Sequence, residues 1–130
     1  MFNFFYRKRR NRCQNRNLIY NLVTYEVVRE MIENQENILI DVRTKREYDI
    51  MHIKNAVNIP VEQLKICESE YRNKKSIIVY CSSGIRTKEA IRILNNFGYT
   101  NIYIWEYGSL SNFPFKDMLK IWYDLCKSNI

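Results

Sequence analysis

Residues 76–98, SIIVYCSSGIRTKEAIRILNNFG, contain the pattern of a complete strand, loop and helix. The first five residues form the kind of short apolar run that is typical of a strand buried on both faces. After the loop, Ala90, Ile91 and Leu94 recur at helical spacing, and Gly98 follows where a helix commonly ends. A buried strand that leads through a short loop into an amphipathic helix predicts a βαβ unit and therefore a parallel sheet.

The rest of the chain continues this alternation of strands and helices. Further strands are predicted in four apolar segments, LIYNLV (18–23), NILID (37–41), AVNIP (56–60) and NIYIW (101–105). Helices are predicted after Thr24, a suitable N-cap, after Thr44, which can form a capping box with Glu47, and over residues 61–72. Crossovers between parallel strands place such helices on both faces of a sheet, so the predicted fold is a three-layer α/β/α domain.

Length and composition limit the class of protein. With 130 residues and 46% hydrophobic content, the chain suits one compact domain. Its apolar runs are far shorter than the roughly 20 residues that cross a bilayer, and no secretory signal pattern opens it. We therefore expect no integral membrane segment and a cytoplasmic location. A single histidine, and four cysteines without a Cys-x-x-Cys spacing (Cys13, Cys67, Cys81 and Cys126), argue against a zinc site and favour free thiols.

Positive charge is concentrated at the amino terminus. The formal net charge is +7, and six basic residues without any acidic residue fall within residues 1–16. We therefore predict a basic N-terminal extension over residues 1–17, solvated and partly disordered. Its aromatic and basic residues are also compatible with an anionic partner, which could be RNA, an anionic membrane surface or an acidic protein.

Cys81 directly follows the predicted strand, at the carboxyl end where open α/β sheets bind ligands. Backbone N–H groups of the loop and the positive end of the helix dipole can stabilise an anion there, and a thiolate is an anion. Gly84 permits a tight backbone path, and Arg86 supplies a forked positive charge that can hold an oxyanion near the sulfur. We predict Cys81 as the catalytic nucleophile and the following loop as the substrate-binding set: Ser82, Ser83, Gly84, Ile85, Arg86 and Thr87.

Two segments of the chain together resemble the rhodanese homology domain. The first, ILIDVRTKREYDIMHIKNAVNIP (38–60), matches the family's first signature at Asp41, Val42, Arg43, Glu47, Tyr48, His52, Ile53, Ala56, Asn58, Ile59 and Pro60. The second, IIVYCSSGIRTKEAIRILNNFGY (77–99), matches its active-site loop and the following helix at Cys81, Gly84, Arg86, Thr87, Ala90, Leu94 and Gly98. The resemblance implies a five-stranded parallel sheet between helices, and a sulfurtransferase in which Cys81 takes up sulfane sulfur as a persulfide, without a cofactor.

Three places depart from the family pattern. Met51 replaces the usual glycine before the His-Ile pair, and Tyr107 occupies one position of the glycine pair expected after the final strand. Phe113 and Pro114 lie close to where a tryptophan is usual. These changes affect turns around the site, whereas the loop from Cys81 to Arg86 is intact.

Three functions compete on these features. The first is sulfur transfer, in which the Cys81 thiolate takes sulfane sulfur from thiosulfate or from a small-molecule or protein persulfide and passes it to a thiol or cyanide. The second is a cysteine-dependent phosphatase or arsenate reductase. Those relatives place five residues between cysteine and arginine and a histidine before the cysteine, whereas this chain has four residues and Tyr80. The third is a non-catalytic rhodanese-like interaction module, a class that often lacks the loop cysteine.

Candidate residues outside the loop receive structural interpretations. Asp41 and Arg43 are predicted to brace neighbouring loops as a charge-assisted pair, although Arg43 could also line the mouth of the site. His52 is predicted to lie in a structural turn. Cys67 and Cys126 could act as resolving thiols, but single cysteines on apolar helix faces usually serve packing.

The chain is predicted to have three parts. Residues 18–114 form the rhodanese-like domain, after the basic extension of residues 1–17. Residues 115–130, FKDMLKIWYDLCKSNI, are predicted to form a helical extension packed on the domain. Its apolar residues at helical spacing are Met118, Leu119, Ile121, Trp122 and Leu125.

Overall fold

Five parallel strands form the centre of the protein, in a computed structural model that describes residues 6–11 and 18–123. The elements in chain order are β1 (Tyr6–Asn11), β2 (Leu18–Val23), α1 (Tyr25–Glu33), β3 (Asn37–Asp41), α2 (Lys45–Ile50), β4 (Met51–Ile53), β5 (Ala56–Asn58), β6 (Ser76–Tyr80), α3 (Ile85–Asn96), β7 (Ile102–Ile104) and β8 (Leu119–Ile121). The main sheet has the strand order β1-β2-β7-β6-β3-β5, in which β1 alone is antiparallel to its neighbour. The predicted five-stranded parallel sheet is confirmed. No helix within the described ranges is long and apolar enough to cross a membrane.

Two apolar layers cover the two faces of this sheet. Successive strand residues point to opposite faces, so in β6 Ile77 and Val79 pack on the α3 side, whereas Ile78 and Tyr80 pack on the α1 side. Each layer is completed by the buried stripe of its helix. Burial on both faces explains why the central strands are continuous apolar runs rather than alternating ones. The predicted three-layer arrangement is confirmed.

The sheet extends into the basic N-terminal region. Tyr6–Asn11 pairs residue by residue with Leu18–Val23 as an antiparallel edge strand. This segment of the predicted extension is therefore a paired strand rather than disordered chain, whereas its solvation stays a prediction. Strand pairing uses backbone N–H and C=O groups, so a basic segment without apolar spacing can still add to a sheet edge. Residues 1–5 and 12–17 of the predicted extension lie outside the described residues.

Local capping signals locate two of the helices correctly. Thr24 Oγ1 accepts a hydrogen bond from the Val27 N–H at the start of α1. Thr44 and Glu47 form the reciprocal capping box at the start of α2. Both predictions are confirmed. These helix starts could be predicted from the sequence because each capping residue bonds to a residue within four positions of it.

The helix predicted over residues 61–72 is wrong. This segment forms 3₁₀ turns at Val61–Gln63 and Glu68–Glu70. The hydroxyl of the buried Tyr71 donates to the Leu64 carbonyl at 2.7 Å. That carbonyl is the one that residue 68 would need as its acceptor in an α-helix, so a side chain replaces the helical bond.

The C-terminal segment pairs as a strand where a helix was predicted. β8 lies antiparallel to β4 and completes a two-stranded sheet beside the main one. The helix prediction for residues 115–130 is therefore wrong through Ile121. Pairing satisfies the backbone groups of both short strands, whereas a short helix has little stability of its own. Met118 is buried, while residues 124–130 lie outside the described residues.

Candidate functional site

Cys81 lies at the carboxyl end of the central strand β6, and both of its backbone groups bond to the segment that follows β7. Its N–H donates to the Gly108 carbonyl at 3.0 Å, and its carbonyl accepts from the Leu110 N–H at 2.8 Å. These bonds form a parallel bridge between Cys81 and Ser109. Cys81 is 1% exposed, so its thiol lies at the bottom of the site rather than on the surface.

The loop after Cys81 folds back over the sulfur. The Gly84 N–H donates a hydrogen bond to Cys81 Sγ at 3.0 Å. Gly84 has a φ of +104°, and a Cβ at this position would lie 2.5 Å from the Tyr107 carbonyl oxygen. Both the conformation and the space therefore require glycine. Helix α3 starts at the next residue without a side-chain cap, so the sulfur sits beside a backbone donor and the positive end of a helix dipole.

Arg86 forms a bidentate ion pair with Glu47. Its Nη1 and Nη2 donate to Glu47 Oε1 and Oε2 at 2.6 and 2.9 Å, and Ser82 Oγ also donates to Oε2, at 3.0 Å. Hydrogen bonds from Arg86 hold the pKa of Glu47 well below its usual range. The role predicted for Arg86 is to offer its charge to an oxyanion, but the carboxylate of Glu47, 39 residues away, already balances that charge.

Sequence reasoning missed Glu47 as a residue of the site. It identified this glutamate as the third residue of α2 and as a position of the family signature. Both signals concern the chain around α2, whereas the contact with Arg86 joins two elements that are distant in sequence.

The remaining loop residues divide between the surface and the support of the loop. Ser83 and Ile85 are exposed, Ile85 by 77%. Thr87 is fully buried, and its hydroxyl donates at 2.9 Å to a backbone carbonyl in the segment after β7. In this structure Thr87 therefore supports the loop. Ser109 does the same, since its Oγ donates to the Ser82 carbonyl at 2.7 Å, and no sequence motif marked it.

A second ion pair lies on the neighbouring strand end. Arg43 Nε and Nη2 donate to Asp41 Oδ1 and Oδ2 at 3.0 and 2.8 Å. Both side chains are buried, with 5% of Arg43 and none of Asp41 exposed. The predicted charge-assisted pair is present, and Arg43 does not line an open mouth. Burial, together with the charge of Asp41, raises the pKa of Tyr80 far above its usual value, so this phenol, which packs on the α1 side of the sheet, stays protonated.

The single histidine and the second described cysteine make packing contacts. The His52 ring stacks on Tyr48 with 3.7 Å between ring centroids, and its Nδ1 lies 2.8 Å from the Tyr48 carbonyl oxygen. Cys67 is partly buried against the α3-side core. Cys13 and Cys126 lie outside the described residues. Within residues 18–123, no cluster of His, Cys, Asp and Glu is arranged to hold a metal ion.

Tyr107 takes up a left-handed backbone conformation where the family usually has glycine. Its φ is +59°, and its side chain is 65% exposed. Left-handed backbone costs roughly 1–2 kcal/mol for a residue that carries a Cβ. Since the Tyr107 Cβ and carbonyl lie against Gly84, this conformation places an exposed aromatic side chain at the rim of the Cys81 loop.

Comparisons with known proteins agree with this geometry. A family model described as "Rhodanese-like domain" matches residues 24–111. A tRNA uridine(34) hydroxylase from Buchnera aphidicola is 39% identical over 83 residues, which are 58% of this chain and 26% of that protein. A rhodanese-related protein from Thermoplasma volcanium has 26% identity and a TM-score of 0.58, over 70% of this chain and 87% of that one. The human single-domain sulfurtransferase TSTD1, at 23% identity, shares the fold with a TM-score of 0.55 over 69% of this chain and 91% of that one.

These matches differ in how much of each protein they cover. The chain spans about a quarter of the length of the curated relatives it matches, so that similarity concerns one part of those proteins. The family match runs from the start of α1 through the Cys81 loop to the segment after β7. Because it covers well over half of the chain, and the loop within it has the strand-loop-helix geometry described above, the chain belongs to the rhodanese-like domain family.

Proposed function

We propose that the protein is a sulfurtransferase in which Cys81 carries sulfane sulfur as a persulfide. The observation that carries this proposal is the hydrogen bond from the Gly84 N–H to Cys81 Sγ, at the amino-terminal end of α3. A backbone N–H and the positive end of a helix dipole directed at one sulfur stabilise the negative charge that a cysteine nucleophile carries during its attack. Membership of the rhodanese-like family supports sulfur as the transferred group.

In the first half-reaction, the Cys81 thiolate attacks the outer sulfur of the donor. With thiosulfate, a new bond joins this sulfur to Cys81, the bond between the two donor sulfurs breaks, and sulfite leaves with the electron pair. With a persulfide, R–S–SH, the leaving group is the thiolate R–S⁻, and Cys81 becomes Cys–S–SH. In the second half-reaction, a thiolate or cyanide takes the outer sulfur and releases the Cys81 thiolate. The Gly84 N–H and the α3 dipole stabilise negative charge on Sγ in both directions.

Two features disfavour the phosphatase or arsenate reductase alternative. The loop has four residues between Cys81 and Arg86, which leaves less room for a tetrahedral oxyanion. The Arg86 guanidinium that would hold such an anion is paired with Glu47. The non-catalytic module is disfavoured by the presence of Cys81 and of the hydrogen bond to its sulfur.

Mass spectrometry tests the proposal directly. Wild type incubated with thiosulfate or with 2-hydroxyethyl persulfide should gain about 32 Da, the mass of one sulfur atom, on Cys81. Cyanide should then remove the added sulfur as thiocyanate. The Cys81→Ser variant should gain nothing, because a serine hydroxyl is not ionised at neutral pH, whereas the matched Cys67→Ser variant should still gain the adduct. No adduct with either donor, or Cys81-dependent hydrolysis of an aryl phosphate, would reject this function.

The curated relatives support a second candidate, a part in the modification of tRNA. Relatives from Buchnera aphidicola and Photorhabdus laumondii are both named tRNA uridine(34) hydroxylase and match 58% and 64% of this chain. The test is to express the chain in a bacterium that lacks its own hydroxylase and to measure hydroxylated uridine at position 34. Restoration that Cys81→Ser abolishes would favour this candidate, and no restoration would leave sulfur transfer as the better one.

Partners and location are part of the same proposal. The sulfur donor is a small molecule or a protein, and the acceptor is a thiol or cyanide. An anionic partner for the basic residues 1–17 is compatible with a tRNA-linked role. A cytoplasmic location would keep Cys81 reduced and therefore nucleophilic.

A further inference from the structure

The charge of Arg86 is balanced within the protein. Its guanidinium makes two parallel hydrogen bonds to Glu47, at 2.6 and 2.9 Å, and a longer one of 3.3 Å to Ser82 Oγ. Bidentate pairing of this kind uses the fork geometry by which arginine otherwise recognises sulfur and phosphorus oxyanions. An oxyanion that used Arg86 would have to displace the Glu47 carboxylate from it.

Glu47 is held in place by its own helix. Its Oε1 accepts hydrogen bonds from the Thr44 N–H at 3.3 Å and from Thr44 Oγ1 at 3.0 Å. Ser82 Oγ holds the other carboxylate oxygen. Because these bonds remain when Arg86 is withdrawn, a displaced carboxylate would stay close to the incoming anion. Like charges held near each other disfavour binding of that anion.

The rim of the loop favours uncharged groups. Ile85, 77% exposed, follows Gly84 directly, and Tyr107, 65% exposed, lies against Gly84 from the other side. The guanidinium of Arg43, at the end of the neighbouring strand, is buried in its pair with Asp41. A donor that reaches Cys81 therefore meets apolar side chains and a neutralised ion pair.

We propose that Glu47 determines donor specificity: it masks Arg86, so that the site prefers sulfur carried on an uncharged thiol, as a persulfide R–S–SH, over small oxyanion donors such as thiosulfate. This inference rests on the sulfur-transfer function proposed above. The preferred step is attack of the Cys81 thiolate on the outer sulfur of R–S–SH. It forms Cys81–S–SH, breaks the donor's S–S bond and releases R–S⁻, with no other reactant.

The experiment measures the single-turnover rate constant of Cys81 persulfide formation by mass spectrometry, with thiosulfate and with 2-hydroxyethyl persulfide. In wild type, the rate constant for the persulfide should exceed that for thiosulfate at least 100-fold. In Glu47→Gln, the ratio of the thiosulfate to the persulfide rate constant should rise at least 10-fold, because Arg86 becomes available to the anion. Adding Arg86→Ala to Glu47→Gln should remove this gain.

Glu89→Gln is the matched control. Glu89 pairs with Arg92 on the same helix as Arg86, with similar exposure, but away from the loop contacts. This variant should leave the donor ratio within twofold of wild type. An unchanged ratio in Glu47→Gln, or an equal change in Glu89→Gln, would overturn the inference while leaving sulfur transfer standing. The ratio of the two rate constants in wild type can be measured without any variant. Near-equal rate constants for the two donors would therefore overturn the inference even if Glu47→Gln failed to fold. No adduct from either donor would instead reject the function itself.

Discussion

Replacing Gly84 with alanine tests the geometry that places a donor on Cys81 Sγ. The structure contains a matched control in Gly98, since both glycines have left-handed backbone, with φ of +104° and +93°. An added Cβ at Gly84 would lie 2.5 Å from the Tyr107 carbonyl oxygen, whereas at Gly98 it would have nothing within 4 Å. The two variants therefore share the conformational cost, and only one of them adds a steric clash.

The expected losses of stability follow from the conformational cost of left-handed backbone and from the steric clash. Left-handed backbone costs a residue with a Cβ roughly 1–2 kcal/mol, so Gly98→Ala should lower the free energy of unfolding by about that amount. Gly84→Ala should add about 1–3 kcal/mol for overpacking against a backbone atom. If the loop moves to relieve the clash, the Gly84 N–H leaves Sγ. A hydrogen bond to a charged group is worth about 1.5–3 kcal/mol, which corresponds to a rate loss of roughly 10- to 100-fold.

Urea denaturation and the rate of Cys81 persulfide formation together form the assay. We expect Gly84→Ala to lose more stability than Gly98→Ala and to form the persulfide at least tenfold more slowly, with Gly98→Ala close to wild type in rate. Equal stability losses in the two variants would refute the close approach of Tyr107 to Gly84. A wild-type rate in Gly84→Ala would refute the contribution of the Gly84 N–H.

Three further perturbations test other parts of the site. Asp41→Ala should lower the free energy of unfolding by about 3–5 kcal/mol in urea, because Arg43 would be buried without its partner; wild-type stability would contradict the buried pair. Thr44→Ala should lower the free energy of unfolding in urea by about 1 kcal/mol, because α2 loses its N-cap. A loss of only a few tenths of a kcal/mol would show that the cap contributes little. Acid should destabilise the protein below pH 4.5, the ordinary Glu value, because the pKa of Glu47 is lower in the folded than in the unfolded state. The stability that Glu47 contributes is therefore complete above that pH and is lost as the pH falls. The free energy of unfolding of Glu47→Gln should fall less steeply with decreasing pH than that of wild type. Equal slopes for the two proteins would count against the Glu47–Arg86 ion pair.

The strand, loop and helix around Cys81 could be predicted because their signals are local. A short apolar run, a glycine in the loop and helical spacing in the next residues describe β6, the loop and α3 within 21 residues of sequence. The N-cap at Thr24 and the capping box at Thr44 act over three residues. In each case the atoms that stabilise the element belong to the residues that display the pattern.

The pairing of edge strands could not be predicted in this way. Tyr6–Asn11 is basic and Leu119–Ile121 follows helical spacing, yet both are strands because an open backbone edge lies next to them. Hydrogen bonds between strands involve backbone atoms, which every residue has, so composition carries little information about them. The same holds for residues 61–72, where one buried tyrosine hydroxyl takes a carbonyl that a helix would use.

The sequence by itself determined the three-layer fold and predicted Cys81 and its loop as the candidate site, because apolar periodicity and the short path from Cys81 to Arg86 are properties of neighbouring residues. Only the tertiary structure decided what Arg86 faces. Its partner, Glu47, is 39 residues away and reaches it because β3 and β6 are adjacent in the sheet and their following segments meet at one edge. Ion pairs depend on distance in space, so the charge that an oxyanion would meet at this site follows from how the strands are ordered.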